Sequence, residues 1–201
     1  MSAQPTMRLV DCDDWFADAR RVPSPNCDAR PAGVDIDLAI VHGISLPPGQ
    51  FGNGKIAALF LNQLDWNENA YYHNIKGLKV SSHLLVERLG ALTQFVPLSQ
   101  RAWHAGQSQF DGRERCNDFS IGIELEGTDQ TPYTAAQYHV LARVLSTLMV
   151  RFPSISMGRI AGHCHVAPGR KTDPGSSFRW DCIGALLGAP SDWEPAHKTG
   201  L

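Results

Sequence analysis

Residues Ser120-Ile121-Gly122-Ile123-Glu124-Leu125-Glu126-Gly127 alternate with a period of two, the mark of a β-strand with two unlike faces. Ile121, Ile123 and Leu125 share one face, and Gly122, Glu124 and Glu126 share the other. An acid there stands beside a glycine, which leaves room for a ligand. Two acids on one strand are also what a solvated face looks like, and the strand alone does not separate these readings. Directly downstream, Thr134-Ala135-Ala136-Gln137 fits a capping box. Tyr138, Leu141, Ala142, Leu145, Leu148, Met149 and Phe152 then recur at three- and four-residue steps, which predicts the longest helix of the chain. Its apolar face is core and carries no chemistry.

Working outward, Ile36 to His42 reads as a largely buried strand that stops at Gly43. Val80 to Glu87 and Ala91 to Val96 read as two strands joined around Arg88-Leu89-Gly90, an antiparallel hairpin. Arg159 to Cys164 is a further short strand. Helices are expected at Cys12 to Arg21, Lys55 to Leu64 and Trp180 to Leu187, and long irregular stretches at Asp65 to Gly77 and Pro97 to Asp118. The whole is an α/β (α+β) chain with a central mixed β-sheet flanked by helices. Residues 12–188 are expected to form one domain, with an N-terminal tail over 1–11 and a flexible C-terminal tail over 189–201.

The chain has 201 residues, 43% of them hydrophobic, enough for one compact domain with its own core. A net charge of −2 without a basic block argues against nucleic-acid or anionic-membrane partners. The five cysteines (Cys12, Cys27, Cys116, Cys164, Cys182) are odd in number and never form a C-x-x-C. Reduced thiols fit that pattern better than a disulfide framework or a cysteine metal site. No apolar stretch approaches membrane-spanning length, and no signal peptide is visible before Asp11, so a cytoplasmic address is expected.

The chemistry gathers in Ala161-Gly162-His163-Cys164-His165-Val166-Ala167-Pro168-Gly169-Arg170-Lys171-Thr172-Asp173-Pro174-Gly175. Two imidazoles and a carboxylate are ligand types for zinc, and Lys171 beside such an ion can steady an oxyanion. In extended chain His163 and His165 point to one side, which makes both candidate ligands and leaves Cys164 as a small buried thiol. A third firm ligand must come from elsewhere. His42, ending a buried strand before a Pro/Gly-rich loop, is the candidate, although a structural histidine is found in such places too. His42, His163 and Asp173 would leave a fourth position open, as hydrolytic zinc sites do.

Residues from about Trp15 to Trp180 resemble the cytoplasmic anhydro-N-acetylmuramyl-L-alanine amidases within the zinc amidase and peptidoglycan-recognition superfamily. The matching segments are Arg20-Arg21-Val22-Pro23-Ser24-Pro25, Val41-His42, Ile44 to Gly49, Arg101-Ala102-Trp103-His104-Ala105-Gly106, Gly112 to Asp129, and Arg170 to Gly175. The resemblance implies one Zn2+ per chain held by His42, His163 and Asp173, with Glu124 as catalytic acid/base and Lys171 stabilising the transition state. It implies hydrolysis of the amide between the lactyl group of anhydro-N-acetylmuramic acid and L-alanine of the stem peptide, a step in muropeptide recycling. The expected partners are anhydromuropeptides alone, and the chain is expected to act as a monomer.

Gly43 stands where better-known members carry Asn, Lys79 where some place an arginine near the substrate, and His165 where an Asn or Asp is usual. Arg115 is a candidate for a substrate carboxylate, since a guanidinium binds one through two parallel bonds, and equally for a structural ion pair. Trp103, His104 and His83 are candidates to line the groove or to pack in the core. Two rival readings remain at this level: a muropeptide-binding module without catalysis, and an amidase of intact murein.

Overall fold

The structure, a computed structural model, describes residues 5–10 and 14–196. Its centre is a six-stranded sheet: β1 (Arg20–Arg21), β2 (Leu38–Ile44), β3 (Leu84–Val86), β4 (Leu92–Gln94), β5 (Ser120–Glu126) and β6 (Ile160–Gly162), in spatial order β6-β2-β5-β3-β4-β1. All neighbours are parallel except β3 and β4, whose antiparallel register pairs Leu84 with Gln94. The mixed sheet and the hairpin are therefore as expected from the alternation. Glycine at Gly90 (φ 84°) makes the connecting turn, a conformation glycine adopts without a Cβ penalty.

Among the described residues four α-helices accompany this sheet: α1 (Lys55–Phe60), α2 (Ala135–Arg151), the single turn α3 (His163–Val166) and α4 (Trp180–Leu187). α2 starts where the sequence says, because Thr134 accepts from the Gln137 backbone N–H while the Gln137 side chain accepts from Thr134 N–H. Such a cap contributes about 1 kcal/mol. Gln137 also donates to the carbonyls of Val86 and Glu126, at 3.2 and 2.9 Å, which locks the helix start onto the ends of β3 and β5.

The apolar side of the alternation packs under α2 and α4. Ile121, Ile123 and Leu125 meet Leu141, Leu145, Leu148 and Ile183, all fully buried. At about 25 cal/mol per Å2 of apolar area, each such side chain contributes roughly 1.5–3 kcal/mol. The opposite side of the sheet is covered by two smaller clusters. One is built around Phe60, Leu85 and Phe95 with α1; the other around Leu38, Ile40, Ala161 and Phe119.

Several local expectations are overturned. Residues 14–21 form no helix: Trp15–Phe16 pairs with Leu9–Val10, and Arg20–Arg21 joins the main sheet beside β4. Phe16 is fully buried, and its N–H donates to Gln94 Oε1 at 2.7 Å. Tertiary pairing thus wins over a helical spacing of only three apolar residues. Cys12, at the start of that expected helix, lies outside the described residues.

The tails are docked where they are described. Met7 is buried and its N–H donates to Thr147 Oγ1 at 2.7 Å. At the other end, Trp193 donates to the Met157 carbonyl at 3.2 Å and Ala196 N–H to the Ile160 carbonyl at 2.8 Å. Residues 189–196 are therefore held against α4 and β6 and are not a loose tail. The expected loop after Asp65 contains a 3-10 turn over Ala70–Ile75, anchored by buried Tyr72.

Candidate metal and catalytic site

Parallel register sets the first pair. Glu124 of β5 lies directly opposite His42 of β2, so both side chains rise from the same face, and Glu124 Oε1 is 4.0 Å from His42 Nδ1. β2 runs on to Ile44, so His42 is inside the strand and not at its end. β6 lies on the other side of β2, with Gly162 opposite Val41, and hands the chain to His163 at the start of α3. The loop then returns, Arg170 and Lys171 N–H donating to the Ala167 carbonyl, and Cys164 N–H donates to the Asp173 carbonyl at 2.9 Å. That bond brings the Asp173 side chain back over His163.

Three atoms converge as a result. His42 Nδ1 is 2.9 Å from His163 Nδ1, His163 Nδ1 is 3.0 Å from Asp173 Oδ2, and His42 Nδ1 is 3.4 Å from the same oxygen. Both histidines are almost fully buried. Four-coordinate zinc with ligand bonds of about 2.0–2.1 Å spaces its ligand atoms about 3.3 Å apart, so a triangle with sides of 2.9, 3.0 and 3.4 Å needs only a slight expansion to take such an ion.

Proton counting supports the same fit. The Nε2 of His163 faces the Ala105 carbonyl at 3.2 Å. A carbonyl only accepts, so Nε2 carries the proton of the neutral ring and Nδ1 presents a lone pair. With the Asp173 carboxylate, the triangle then contains acceptors that lack enough protons to join them. A cation resolves that conflict. His42, Asp173 and His163 are the residues able to hold it among those described.

Burial sets the electrostatics. His42 is pushed down to about 4 by burial first and by neighbouring His163 second, and is neutral at ordinary pH. Burial works to raise the Asp173 carboxyl, but the adjacent imidazoles of His163 and His42 outweigh it and hold the group below the carboxylate range. Glu124 behaves oppositely: burial, reinforced by Asp173, raises it well above the ordinary value, while Lys171 acts to lower it. Its Oε2 is buried without a partner. A buried polar atom left unpaired is costly and often marks chemistry.

Glu126, on the same strand face, is different. Its oxygens accept from the N–H of Gly52 at 2.7 Å and of Arg88 at 3.2 Å, so it pins two loops. The glycine that precedes both acids on this face is not a vacant place either. A Cβ on Gly122 would lie 2.5 Å from the His104 ring, which already fills the space.

The site opens into a groove of about 200 Å3 walled by Leu46, Phe60, Leu78, Trp103 and His104, with Lys171 and Glu124 at the lining. Lys79, between two groove residues, is exposed outside this lining. Trp103 is among the residues that line the groove. His104 also lines it, but Nδ1 meets His42 Nε2 at 2.9 Å and Nε2 meets Ser120 Oγ at 3.3 Å, so neither nitrogen is left for a ligand.

His83 does not line the groove. It is fully buried, accepts from Gly122 N–H at 3.0 Å and faces the Gln100 carbonyl at 3.0 Å. Arg115 lies in a neighbouring depression with Arg170 and Glu114, 3.5 Å from Asp118, with its side chain 71% exposed. His165 turns away, because α3 is helical and not extended. Its Nδ1 accepts from Gly162 N–H at 3.0 Å, and its ring packs near Trp180.

The sequence reading missed Ser120, Tyr133 and Arg170. Ser120 was legible in principle, since it continues the face of Gly122 and Glu124. Arg170 donates to the carbonyls of Ala105, which His163 also faces, and Gln107; nothing in sequence flags a bond to backbone. Tyr133 explains Gly43: its hydroxyl donates to the Pro174 carbonyl at 2.9 Å and lies 2.2 Å from where a Cβ on Gly43 would stand.

This fold and site define a hydrolase-type centre, and comparison with known proteins agrees. The N-acetylmuramoyl-L-alanine amidase family matches residues 32–176. The 1,6-anhydro-N-acetylmuramyl-L-alanine amidase AmpD of Citrobacter freundii is 54% identical over 179 residues, 89% of this chain and 95% of that one. A crystal structure of a selenomethionine AmpD derivative superposes with a TM-score of 0.87 at 53% identity, covering 90% of this chain and 99% of the other. The Escherichia coli amidase AmiD, in complex with anhydro-N-acetylmuramic acid-L-Ala-D-γ-Glu-L-Lys, gives a TM-score of 0.56 at 26% identity, covering 80% and 61%. The chain belongs to the N-acetylmuramoyl-L-alanine amidase family and is an enzyme of that class.

Proposed function

We propose that this protein is a zinc-dependent amidase of anhydromuropeptides, cleaving the amide between the lactyl group of 1,6-anhydro-N-acetylmuramic acid and L-alanine of the stem peptide. The observation that carries it is the convergence of His42, His163 and Asp173 beside buried, unpartnered Glu124, in a chain more than half identical to an enzyme named for that substrate. A relative's structure named for its complex with an anhydromuramyl peptide supports the same substrate class.

His42, His163 and Asp173 would hold one zinc ion. Bound zinc supplies a Lewis acid that polarises the scissile carbonyl and makes a water acidic near neutral pH. Glu124, with its raised proton affinity and free Oε2, takes a proton from the attacking water and passes it to the leaving L-alanine amine. Lys171, at the groove lining, places a positive charge where the carbonyl oxygen becomes negative. Trp103 and the apolar wall of Leu46, Phe60 and Leu78 offer a surface for the sugar ring and lactyl methyl and limit the water around the reacting bond.

Lys79 at the rim and Arg115 in the adjoining depression supply cations for stem-peptide carboxylates. The role is a muropeptide-recycling step in the cytoplasm by a monomeric enzyme. Among the described residues no helix is long and apolar enough to cross a membrane. The test is elemental analysis of the purified protein together with product analysis on anhydromuropeptides and on intact sacculi. About one zinc per chain and release of stem peptide from the anhydromuropeptide are expected. No metal and no product from a folded sample would overturn the reading, and a preference for sacculi would move it to wall lysis.

A further inference from the structure

A chain of buried hydrogen bonds runs away from the metal triangle, and its direction can be read from one end. The Cys116 carbonyl has no proton to give, so Ser120 Oγ, 2.6 Å away, donates to it. A serine hydroxyl has one proton. Toward His104 Nε2, at 3.3 Å, Ser120 therefore accepts, which places the His104 proton on Nε2. His104 Nδ1 is then a lone pair, and the facing atom at 2.9 Å, His42 Nε2, must carry a proton. His42 in turn presents the Nδ1 lone pair toward His163 and Asp173.

Every link is buried. Ser120 and Cys116 are fully enclosed, and His104 is 9% exposed. The ring of His104 is fixed from three sides. The missing Cβ of Gly122 lets it sit against β5, and His104 N–H and Ala105 N–H both donate to Asn117 Oδ1, at 3.2 and 2.8 Å. The edge of His83 packs 5.6 Å away.

We propose that His104, oriented by Ser120, is a positioning residue that fixes the His42 tautomer, so that His42 meets the ion with Nδ1 already stripped of its proton. This rests on the metal reading above. His163 gets the same direction from the Ala105 carbonyl, so the two ligand histidines are set by different means, one by backbone and one by a side-chain relay. The relay is the one that substitution can reach.

The experiment compares wild type with His104→Phe, His104→Asn, Ser120→Ala and Ser120→Thr. Zinc affinity is read by competition with a chromophoric chelator, and the His42 ring nitrogens by 15N NMR of apo and zinc-loaded protein. Loss of an outer hydrogen-bond partner typically weakens metal binding by about 10- to 100-fold, and that loss is expected for His104→Phe. Asn carries an amide oxygen near the position of Nδ1 and is expected to recover most of the affinity. Ser120→Ala frees the tautomer of His104 and is expected to weaken zinc binding by less than His104→Phe, while Ser120→Thr restores it.

The NMR signature expected for wild type is a His42 proton on Nε2, replaced by averaged tautomers in His104→Phe. Unchanged zinc affinity in a folded His104→Phe would overturn the proposal. So would equal losses in the Phe and Asn variants, which would mean packing alone, or a His42 proton on Nδ1 in the apo protein. Should His104→Phe fail to fold, the Ser120 pair carries the test. Should wild type bind no zinc, the metal reading falls, and the nitrogen spectrum still decides the tautomer.

Discussion

Glu124→Gln is the substitution whose consequences the structure defines most closely. Gln has the same shape, so the packing on β5 is retained, but it cannot exchange a proton with water or amine. General acid–base catalysis contributes about 10²- to 10⁴-fold, or about 2.7–5.4 kcal/mol of barrier. The fall in kcat is expected to lie in that range. Stability should respond in the other direction. Oε2 has no partner, and Oε1 has His42 Nδ1 only at 4.0 Å; a buried polar group left unpaired costs about 1–3 kcal/mol.

Removing the charge recovers part of that cost, so Tm is expected to hold or to rise by about 2–4 °C per kcal/mol recovered. Zinc content should stay at wild-type level, because Glu124 is outside the ligand triangle. The assays are stem-peptide release from anhydromuropeptide, elemental zinc and calorimetry. Activity retained within a few-fold would refute the argument. A lowered Tm would refute the claim that this carboxyl is held at a cost, and loss of zinc would make Glu124 a ligand.

Removing the metal with a chelator should destabilise the protein, since the triangle is left with opposed lone pairs. With zinc at about 100 times its Kd the difference is about 2.7 kcal/mol, or about 5–11 °C in Tm for a chain of this size; an unchanged Tm would count against the site. Lys171→Met should lower kcat by about 10²- to 10³-fold, the usual cost of losing an oxyanion partner, with zinc affinity kept within a few-fold. A kcat near wild type would remove Lys171 from the chemistry. Gly122→Ala should cost about 1–3 kcal/mol by urea unfolding, because its Cβ would overlap the His104 ring. A neutral result would mean that His104 moves freely.

Much of the architecture was legible because it is written in short-range periodicity. The two-residue alternation of Ile121, Ile123 and Leu125 against the α2 core, the Thr134–Gln137 cap and the hairpin around Gly90 all depend on neighbours within a few positions. Residues 14–21, the described part of the helix expected over Cys12 to Arg21, depart from expectation for the converse reason. Their helical spacing was overruled by pairing with β4, more than seventy residues away in sequence. His165 failed because the chain after β6 turns helical, which ends the alternation that had placed it beside His163.

The sequence by itself determined the sheet-and-helix class, the strand that carries Glu124 and the set of groups able to bind a metal. Only the tertiary structure decided which of these groups meet and in what state of protonation. His42 and His163 are 121 residues apart yet 2.9 Å from each other, a distance set by the parallel register of β2 with β5 and β6. Glu124 and Glu126 are equivalent on the strand, and they part company because loop N–H groups reach one and not the other. Hydrogen-bond partners are supplied by whatever the fold brings near. That is why local pattern names the candidate atoms and only packing assigns their roles.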